Sequence, residues 1–530
     1  MNKKLNLQWI SDVIMDDHEK WELGDTVTID SQTNTGKTTY ILNQLNNNLK
    51  HNEKMIYICN RKELKRQIKI ELLRKFNMDI PETTEELDSI KTIGNITIES
   101  YQSIGEKINF LNYNNAEYKI EKFKYIVQDE CHFYYADSQF NNKTFIIFNK
   151  LIREHYSNSI KILISATMDE MLPVFKRFIS GNLHQYSTGR DYSYLNPKYF
   201  KEINNIINLI KNDSTKDKWI VFVANKKTGE KIKKELLKYK ITCSFITSDS
   251  NQKERKNISI NNKFNCKVLI TTKCLDNGVS IHDAAVKHIV ITAYDKLTFL
   301  QEIGRIRIDI KNARPINLYI DIITKKNFYS LLNVANVKHE IVKMFSNDYD
   351  EFVFKHDHNT NKVPQELFHL SNSKDRKWEL NLLAHSRLYS DIRFYEEVIE
   401  EYYNYGEFAY CYMQLKWLGL EEQFDESNLI ENVTINDEVD SLNQFLKEAF
   451  ENDIRFDKDE FINSIEEIIK SKLGSSLDDV LTKLDSGNKR DRGMKQYNKL
   501  FQLLEFPFMV SSKKFKVNGK IKTKWIVSKM

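Results

Sequence analysis

One stretch near the start of the chain limits what this sequence can fold into. A β-rich run, Thr26–Asp30, leads into a polar loop that ends in Gly36-Lys37-Thr38, and an amphipathic stretch over residues 39–49 follows. A strand, a loop with Gly-Lys-Thr and a helix, in this order, are what a phosphate-binding loop requires. Backbone N–H groups of such a loop point at an anion, and the helix macrodipole favours its negative charge. The stretch predicts a nucleotide-phosphate site in an α/β domain.

The side chains of this loop have separate expected roles. Lys37 would reach the β- and γ-phosphates of ATP, and the Thr38 hydroxyl would ligate Mg²⁺. Ser31 stands where such a loop usually opens with Gly or Ala, and its side chain is small enough for that position. The residues expected to bind the nucleotide are Ser31, Thr33, Thr35, Gly36, Lys37, Thr38 and Thr39.

A second apolar run is followed directly by two acidic residues. Residues 125–128 read as a buried strand, and the strand delivers Asp129 and Glu130 at its end. Open α/β sheets place their ligands at the carboxyl ends of strands. Asp129 would therefore hold Mg²⁺, and Glu130 would polarise the attacking water.

Length and composition indicate an ordinary globular protein. The 530 residues suffice for about three domains, and 41% are hydrophobic and 29% charged. No apolar run approaches the length of a membrane span, and residues 1–5 lack the apolar core of a signal peptide. The six cysteines are scattered without a Cys-x-x-Cys pair, so we expect reduced thiols. A cytoplasmic location and no membrane partner are the expectations.

Apolar runs alternate with helical patterns over the first 330 residues, which favours parallel sheets. After an expected leading helix over residues 5–15, one series of strands contains 26–30, 55–59, 96–102, 125–128 and 160–164. A second series contains 219–223, 244–246, 268–272, 289–292 and 316–320. Two α/β domains follow, and we expect the linker near residues 192–197.

Beyond residue 330 the pattern changes to long, acidic, aromatic-rich helices, for example over residues 395–420 and 442–450. Their Tyr and Phe side chains are more typical of a helical core than of a ligand site. His356, His358 and His369 lie close in sequence, but no further His or Cys accompanies them, so a metal site is not expected there.

The end of the chain is basic. From Lys489 onward there are twelve Lys or Arg residues against Asp491 and Glu505, whereas the whole chain has a net charge of +5. Residues 494–505 form an apolar-faced helix pattern, and residues 515–527 alternate lysine with apolar residues around Asn518-Gly519, which is a hairpin signal. This winged-helix-like pattern favours a polyanion partner, and a solvated lysine-rich surface remains the alternative.

Taken in order, these segments resemble the motifs of the superfamily 2 helicases of DExH type. Residues 31–38 resemble motif I, and Asp129-Glu130-Cys131-His132 is a DExH box. The other matching segments are Asn60-Arg61-x-x-Leu64-x-x-Gln67, 97–102, Ser165-Ala166-Thr167, 219–224, Thr271-Thr272 with 276–279, and 301–307. Any one of these matches is weak, and their order over residues 31–307 carries the resemblance.

The resemblance implies two RecA-like domains, with ATP and Mg²⁺ in the cleft and nucleic acid across the top. Lys37, Asp129 and Glu130 would serve hydrolysis, and Gln301 and Arg305 would reach the γ-phosphate from the second domain. The residues that would couple the nucleotide state to domain movement are His132, Ser165 and Thr167. The residues at positions where the family contacts the nucleic-acid backbone are Arg61, Thr97, Thr272 and Gly278, and packing roles remain open for these four.

The last motif departs from the family pattern. The family ends this motif with Gly-Arg-x-x-Arg, whereas here Ile308 takes the last position and Arg307 precedes it. One residue on a helix is a rotation of about 100°, so Arg307 substitutes only if the backbone is not a regular helix. Either Arg305 alone acts as the arginine finger, or the local backbone adapts. Gln128, a polar residue just before the DExH box, is a lesser departure.

The sequence therefore predicts an α/β fold of two RecA-like P-loop domains with parallel sheets, followed by a mainly helical region that ends in a basic β-hairpin. The expected domains are residues 1–190, 191–330, 331–488 and 489–530. The leading hypothesis is an ATP-dependent helicase, with DNA favoured over RNA. The alternatives are a duplex translocase, as in restriction or phage-defence systems, and a catalytically weak binding protein. A protein partner of the acidic helical region remains open.

Overall fold

The computed structural model describes residues 2–60, 62–114, 116, 118–120, 122–139, 143–247, 258, 261–272, 280–356, 363–370, 377–430, 442–473, 493–503, 506–517 and 520–529. Two compact units divide the chain, Met1–Asn428 and Leu429–Met530.

The first unit begins with a seven-stranded sheet. Its strands are β1 (Thr26–Asp30), β2 (Met55–Cys59), β3 (Thr92–Ile93), β4 (Ile96–Ser100), β5 (Tyr125–Asp129), β6 (Ile160–Ser165) and β7 (Leu183–Ser187). They lie in the order β3-β4-β2-β5-β6-β1-β7, and every neighbouring pair is parallel except β3 and β4. The side chains of β2 alternate between two apolar clusters, with Tyr57 in one and Ile56 and Ile58 in the other. This explains why the strand is apolar throughout, since both faces of the sheet are covered.

Helices connect these strands. They are α1 (Ile10–Ile14), α2 (Lys37–Thr39), α3 (Lys62–Lys75), α4 (Thr84–Ser89), α5 (Tyr101–Tyr113), α6 (Phe133–Ala136), α7 (Lys143–Phe148) and α8 (Met168–Phe175). Helix α2 continues as a π-helix over Tyr40–Leu45, and α7 does so over Asn149–Arg153.

A second parallel sheet follows. Its strands are β8 (Leu195–Phe200), β9 (Lys218–Phe222), β10 (Cys243–Ile246), β11 (Val268–Thr271), β12 (Val286–Ile291) and β13 (Ile316–Asp321), in the order β10-β11-β9-β12-β13-β8. Its helices are α9 (Ile203–Asn212), α10 (Lys226–Lys238) and α11 (Lys296–Ile303). The prediction of two parallel α/β sheets is confirmed, although β8 occupies part of the expected linker.

The expected leading helix over residues 5–15 is wrong in its first half. The helix covers only Ile10–Ile14, because the residues before it pair with the second domain. Backbone N–H groups of Lys3 and Leu5 donate to the carbonyl oxygens of Ala313 and Ile310 at 2.9 and 2.8 Å. Hydrogen bonds to a neighbouring segment outweigh the helical pattern here.

The first unit ends in a mainly helical region. It contains α12 (Lys325–Asn347), α13 (Tyr349–His356), a hairpin of β14 (Phe368–Leu370) and β15 (Trp378–Leu380), α14 (Leu382–Tyr405) and α15 (Ala409–Leu418). The helix expected over residues 395–420 is two helices, because Gly406 has a φ of 52° and interrupts them. Short 3₁₀ helices lie at Asp17–Lys20, Asp137–Gln139, Gly406–Phe408, Glu421–Gln423 and Glu426–Asn428.

The second unit has its own core. Residues 442–451 are helical, and β16 (Arg455–Phe456), α16 (Lys458–Leu473), α17 (Met494–Leu503), β17 (Phe508–Val517) and β18 (Lys520–Lys529) follow. The three strands are antiparallel in the order β16-β18-β17. Leu446 and Phe461 share an apolar cluster with Tyr497 and Trp525. For this reason residues 442–473 belong with the basic end of the chain, and the division lies at Asn428, whereas we expected it near residue 488.

The described residues were also compared with the requirements of a membrane span and of a metal site. No helix among them is long and apolar enough to cross a membrane. They also contain no group of three or more His, Cys, Asp or Glu side chains that could hold a metal ion. His369 lies 3.2 Å from Glu379, and His358 falls outside the described ranges.

Candidate nucleotide site

The carboxyl ends of three adjacent strands bring the predicted residues together. Strands β5, β6 and β1 are neighbours, with Asp129 opposite Ile164 and Asp30 opposite Ser165. The loop after β1 carries Lys37, the loop after β5 carries Glu130, and the loop after β6 carries residues 166–167. Parallel register therefore places these three loops at one edge of the sheet.

The loop after β1 has the backbone that its sequence requires. Asn34 and Gly36 adopt left-handed φ values of 73° and 84°, a region that glycine tolerates and asparagine enters more readily than most residues. A Cβ atom on Gly36 would lie 3.2 Å from the ring of Trp9. The Lys37 ammonium group donates to the Ser31 carbonyl oxygen at 3.1 Å, which folds the lysine back over the loop that would bind phosphate.

Ser31 fits the position usually held by Gly or Ala. It is fully buried, its backbone N–H donates to the Ser165 carbonyl oxygen at 3.0 Å, and its hydroxyl contacts the Thr35 hydroxyl. The Thr35 hydroxyl in turn donates to the Gln32 carbonyl oxygen at 2.7 Å. The substitution is therefore accommodated by an internal hydrogen bond of the loop.

Asp129 is held from two sides. One carboxylate oxygen accepts from the Tyr57 hydroxyl at 2.6 Å, and the other accepts from the Glu130 backbone N–H at 2.9 Å. Burial and the charge of Glu130 raise the pKa of Asp129, and Lys37 opposes this shift. The carboxylate is thus oriented by its surroundings, while a nearby cation would favour its charged form.

Glu130 lies in a strained and strongly electropositive position. Its φ of 51° is unusual for a residue with a Cβ atom and is typical of functional sites. Burial opposes ionisation of its carboxyl group, but Lys37, a hydrogen bond from His132 and the charge of Arg305 outweigh burial and lower its pKa. Glu130 is therefore ionised across the neutral pH range.

The three residues expected to couple nucleotide state to movement are in contact. His132 Nδ1 lies 3.2 Å from the Glu130 carboxylate and 3.5 Å from the Ser165 hydroxyl. The Ser165 hydroxyl also lies 3.1 Å from the Thr167 hydroxyl and accepts from the Thr167 backbone N–H at 3.1 Å. A continuous polar path thus runs from Glu130 to the loop after β6.

The second domain presents two arginines to this edge, and the backbone between them is not a regular helix, which is one of the two alternatives left open by the sequence. Helix α11 ends at Ile303, Gly304 and Arg305 form a turn, and Ile306 then bridges Ile281. Arg305 and Arg307 flank this bridge, and the charge of Arg305 lowers the pKa of Arg307. The 100° rotation of a helix does not apply.

Each arginine has its own support. Arg305 donates to the Gln301 side-chain oxygen at 2.7 Å, and Arg307 donates to the Ser280 hydroxyl at 2.7 and 2.9 Å. Burial and the charge of Arg305 lower the pKa of Arg307 to about 10, against the opposing charges of Glu130 and Asp129. Both guanidinium groups therefore lie within the electrostatic reach of the acidic pair.

The two domains touch beside the loop after β1. The Asn34 side chain donates to the Ile308 carbonyl oxygen, and a Cβ atom on Gly304 would lie 2.8 Å from the Thr33 methyl group. The methyl group of Thr33, a residue expected to contact the nucleotide, lies against the end of α11. The loop that would hold the phosphates is thus in direct contact with the arginine-bearing segment.

Several residues that contact the site have no recognisable signal in the sequence. Tyr57 lies inside an apolar strand, where no pattern signals a role for its hydroxyl. Arg190 pairs with Asp30 at 3.0 Å and with Asp169 at 2.8 Å. Lys296, at the start of α11, pairs with Asp169 and Glu170 across the two domains at 3.3 and 2.6 Å. Strand β7, which precedes Arg190, is polar and half-exposed, so the periodicity did not reveal it.

Helix α14 also reaches both domains. Arg387 pairs with Asp391 at 2.8 Å, lies 3.8 Å from Asp295, and covers the Tyr135 ring with its guanidinium group 5.1 Å from the ring centre. Asp295 caps α11 by accepting from the Thr298 backbone N–H at 3.0 Å. The contact connects the helix after the DExH box with the helix before the arginines.

The residues expected to contact nucleic acid differ in their distance from the carboxyl ends of the strands. Thr97 is the second residue of β4, and its hydroxyl lies 3.1 Å from the Thr92 hydroxyl. At about 3.3 Å per residue, this position is about 10 Å before the end of the strand at Ser100. Thr272 directly follows β11, at the strand's carboxyl end. Arg61 and Gly278 lie outside the described residues.

Two family models match the chain. The model described as "Type III restriction enzyme, res subunit" matches residues 7–170, and "Helicase conserved C-terminal domain" matches residues 201–308. No curated protein matches.

Solved structures are similar at low identity. Dbp5 of S. cerevisiae bound to RNA and ADP BeF3 is 19% identical, with 59% of this chain and 83% of that chain covered and a TM-score of 0.44. A DEAD box protein from Methanococcus jannaschii is 18% identical, with 62% and 89% covered and a TM-score of 0.34. The DUF1998 helicase MrfA bound to DNA and AMPPNP is 18% identical, with 58% and 47% covered and a TM-score of 0.43.

The two matched models follow each other in the order of the two sheets and together cover more than half of the chain. They contain the loop after β1, the DExH box and the arginine segment. The chain belongs to the superfamily 2 helicases with two RecA-like domains.

Proposed function

We propose that the protein is an ATP-dependent nucleic-acid helicase of DExH type, which couples hydrolysis to movement along a strand and to unwinding. The observation that carries this proposal is the convergence of Lys37, Asp129 and Glu130 at one sheet edge, facing Arg305 and Arg307. A phosphoryl-transfer site needs these two parts, a cation and carboxylates on one side and arginine on the other.

The residues fit a magnesium–nucleotide complex. The Glu130 oxygen that lies 3.2 Å from His132 Nδ1 is buried and has no further polar partner among the described residues, so it can accept a hydrogen bond from a partner such as water. The Thr38 hydroxyl and Asp129 would hold Mg²⁺, and its charge would keep Asp129 ionised despite burial. When bound, Mg²⁺ would neutralise part of the negative charge of the nucleotide phosphates.

The side chains then have defined tasks. Lys37 neutralises phosphate oxygens, and ionised Glu130 orients a water molecule and accepts hydrogen bonds from it. Arg305 and Arg307 compensate the charge that develops on the transferred phosphoryl group. His132, Ser165 and Thr167 connect Glu130 with the loop after β6, so a change at Glu130 is passed to the domain contact at Asp169 and Lys296.

The test compares Lys37→Ala with Lys50→Ala, an exposed lysine beyond the helix that follows the phosphate-binding loop. We expect Lys37→Ala to abolish nucleic-acid-stimulated ATPase activity and Lys50→Ala to retain it. Stimulation should be measured with matched single-stranded and duplex DNA and RNA. Full activity of Lys37→Ala would contradict the proposal, and so would a wild-type protein without turnover on any of these substrates.

A second candidate is a duplex translocase that does not separate strands. It is favoured by the match to the model described as a type III restriction enzyme subunit. A strand-displacement assay beside a triplex-displacement assay distinguishes the two functions. Triplex displacement with an intact duplex would support the translocase, and separation of duplex strands supports the helicase.

A further inference from the structure

Charge is unevenly distributed within the second unit, Leu429–Met530. Residues 494–529 contain nine lysines and one acidic residue, whereas residues 442–473 contain eight acidic and five basic residues. Both segments contribute to one apolar core through Phe461, Tyr497 and Trp525. Basic charge is therefore concentrated on helix α17 and on the β17–β18 pair, and acidic charge on the preceding helices.

Helix α17 has two distinct faces. Tyr497, Leu500 and Phe501 are buried in the core. Lys495, Lys499 and Gln502 are exposed, and their spacing of four and then three residues places them on one face of the helix. Lys495 and Gln502 place a cation and an amide on this face.

The outer half of the β17–β18 pair is a cationic ribbon. Lys513, Lys514 and Lys516 are exposed, and no acidic side chain pairs with them among the described residues. Lys513 lies directly opposite Lys524, which pairs with Asp457 at 2.8 Å. Asp457 offsets the charge of Lys524, whereas a polyanion would offset the charges of Lys513, Lys514 and Lys516.

The helix and the ribbon are fixed relative to each other. The Asn498 side chain donates to the Val510 carbonyl oxygen at 2.9 Å and accepts from the Val510 backbone N–H at 2.7 Å. From Val510 to Val517 the strand extends about 23 Å at about 3.3 Å per residue. The helix therefore has a fixed position on β17, where Lys514 and Lys516 lie on the same face as Val510 and Lys513 lies on the opposite face.

These dimensions discriminate among nucleic acids. The major groove of B-form DNA is about 12 Å wide and admits an α-helix, whereas the major groove of duplex RNA is deep and too narrow for side chains to read. A ribbon about twice as long as the groove is wide reaches the neighbouring phosphate backbone. We propose that α17 and the β17–β18 ribbon form a duplex DNA-binding site, with the Lys495 face toward the major groove and the ribbon lysines on phosphates.

This site goes beyond the proposed ATPase and does not depend on it. The test uses the full chain without nucleotide and a short fluorescein-labelled DNA duplex, with the matched RNA duplex and single strand as comparisons. The ribbon variant replaces Lys513, Lys514 and Lys516 with alanine. We expect at least tenfold weaker binding. The slope of log K against the logarithm of the salt concentration should be smaller in magnitude by about 2.7, which is about 0.9 for each lost phosphate contact.

The helix variant, Lys495→Ala with Gln502→Ala, should weaken binding of the DNA duplex at least tenfold and leave binding of the RNA duplex and the single strand unchanged. The control Lys447→Ala removes an exposed lysine from the acidic part of the same unit. Replacing the three ribbon lysines with arginine should restore binding, which excludes misfolding as the cause of the loss.

Two results would overturn the proposal. One is an unchanged salt dependence in the ribbon variant. The other is equal weakening of DNA duplex, RNA duplex and single strand in the helix variant, which would indicate an unspecific cationic surface. Because Lys37→Ala should bind the duplex as the wild type does, failure here is distinguishable from failure of the proposed ATPase.

Discussion

Asp129 is oriented by a residue that takes no part in phosphate binding. The Tyr57 hydroxyl donates to one Asp129 oxygen at 2.6 Å, and both groups lie in a buried edge of the sheet. Residues that orient a metal ligand are important for affinity, because they fix the direction in which the carboxylate offers its lone pairs. Nothing in the apolar sequence of β2 indicates this role.

We expect Tyr57→Phe to raise the Mg²⁺ concentration for half-maximal ATPase activity by about 10- to 100-fold. The fold should persist, because the aromatic ring remains in the core. A magnesium titration of the ATPase rate measures the effect. The matched control is Tyr199→Phe, whose buried hydroxyl has no hydrogen-bond partner among the described residues. An unaltered titration for Tyr57→Phe would show that this hydrogen bond is dispensable.

Both arginines after α11 lie within the electrostatic reach of Glu130, so we expect both to contribute to catalysis. Arg305→Ala and Arg307→Ala should each lower kcat, and the larger loss should reach about 10³-fold for the residue that acts as the arginine finger. The KM for ATP should change little, because the contribution belongs to the transition state. Steady-state ATPase kinetics, with exposed Arg177→Ala as control, measure both constants. Wild-type kcat in Arg307→Ala would assign the role to Arg305 alone.

At the scale of elements, the end of α11 meets the loop after β1 at very short range. Gly304 has no Cβ, and an added methyl group would lie 2.8 Å from the Thr33 methyl group. The family match does not predict this contact, because it depends on how the two domains approach each other. Sequence patterns describe single strands and helices well, while contacts between distant segments depend on the assembled fold.

We expect Gly304→Ala to separate the loop from the arginine segment and to lower kcat, since a displacement of about 1 Å at a reacting centre costs about 10²-fold. Thr33→Ser removes the obstructing methyl group and keeps the hydroxyl. The double variant should therefore recover most of the activity, and a double-mutant cycle quantifies the coupling. Additive losses in the cycle would disprove the steric explanation.

Helix α14 connects the helix after the DExH box with the cap of α11 through Arg387. Removing one partner of a buried ion pair leaves the other charge unpaired, at a typical cost of about 3 kcal/mol. We expect Arg387→Met to lower the free energy of unfolding of the first unit by about this amount, as measured by thermal unfolding of the full chain. Arg393→Met, an exposed position on the same helix, should change it by no more than about 0.5 kcal/mol.

At the scale of the whole molecule, the sequence predicted both parallel sheets, and the order of motifs identified the family. It also named the residues that the structure gathers at the sheet edge, because strand ends followed by Gly-Lys-Thr and Asp-Glu are local signals. The division at Asn428 was missed, and the non-helical backbone between Arg305 and Arg307 was left as one of two alternatives. Both depend on packing between segments far apart in sequence, such as Leu446 against Trp525, which periodicity does not contain.

Because each unit has its own core, we expect a destabilising substitution in the second unit to leave the first unit folded and active. Phe461→Ala removes a ring that lies 5.3 Å from the Phe456 ring and 5.7 Å from the Trp525 ring. It should destabilise the second unit by about 3–5 kcal/mol and leave the basal ATPase rate unchanged. Calorimetry beside an ATPase assay checks both expectations, with exposed Phe354→Ala as the control. A parallel loss of ATPase activity would show that the units are not independent.

The pairing of the first residues with the second domain has a mechanical consequence. The chain passes between the domains twice at one place, because the Asn6 backbone N–H donates to the Asp191 carboxylate at 2.7 Å, next to the covalent linker. Two crossings bonded side by side resist torsion more than one does. We therefore expect the cleft to open by a rotation that does not twist the linker and that keeps both crossings intact.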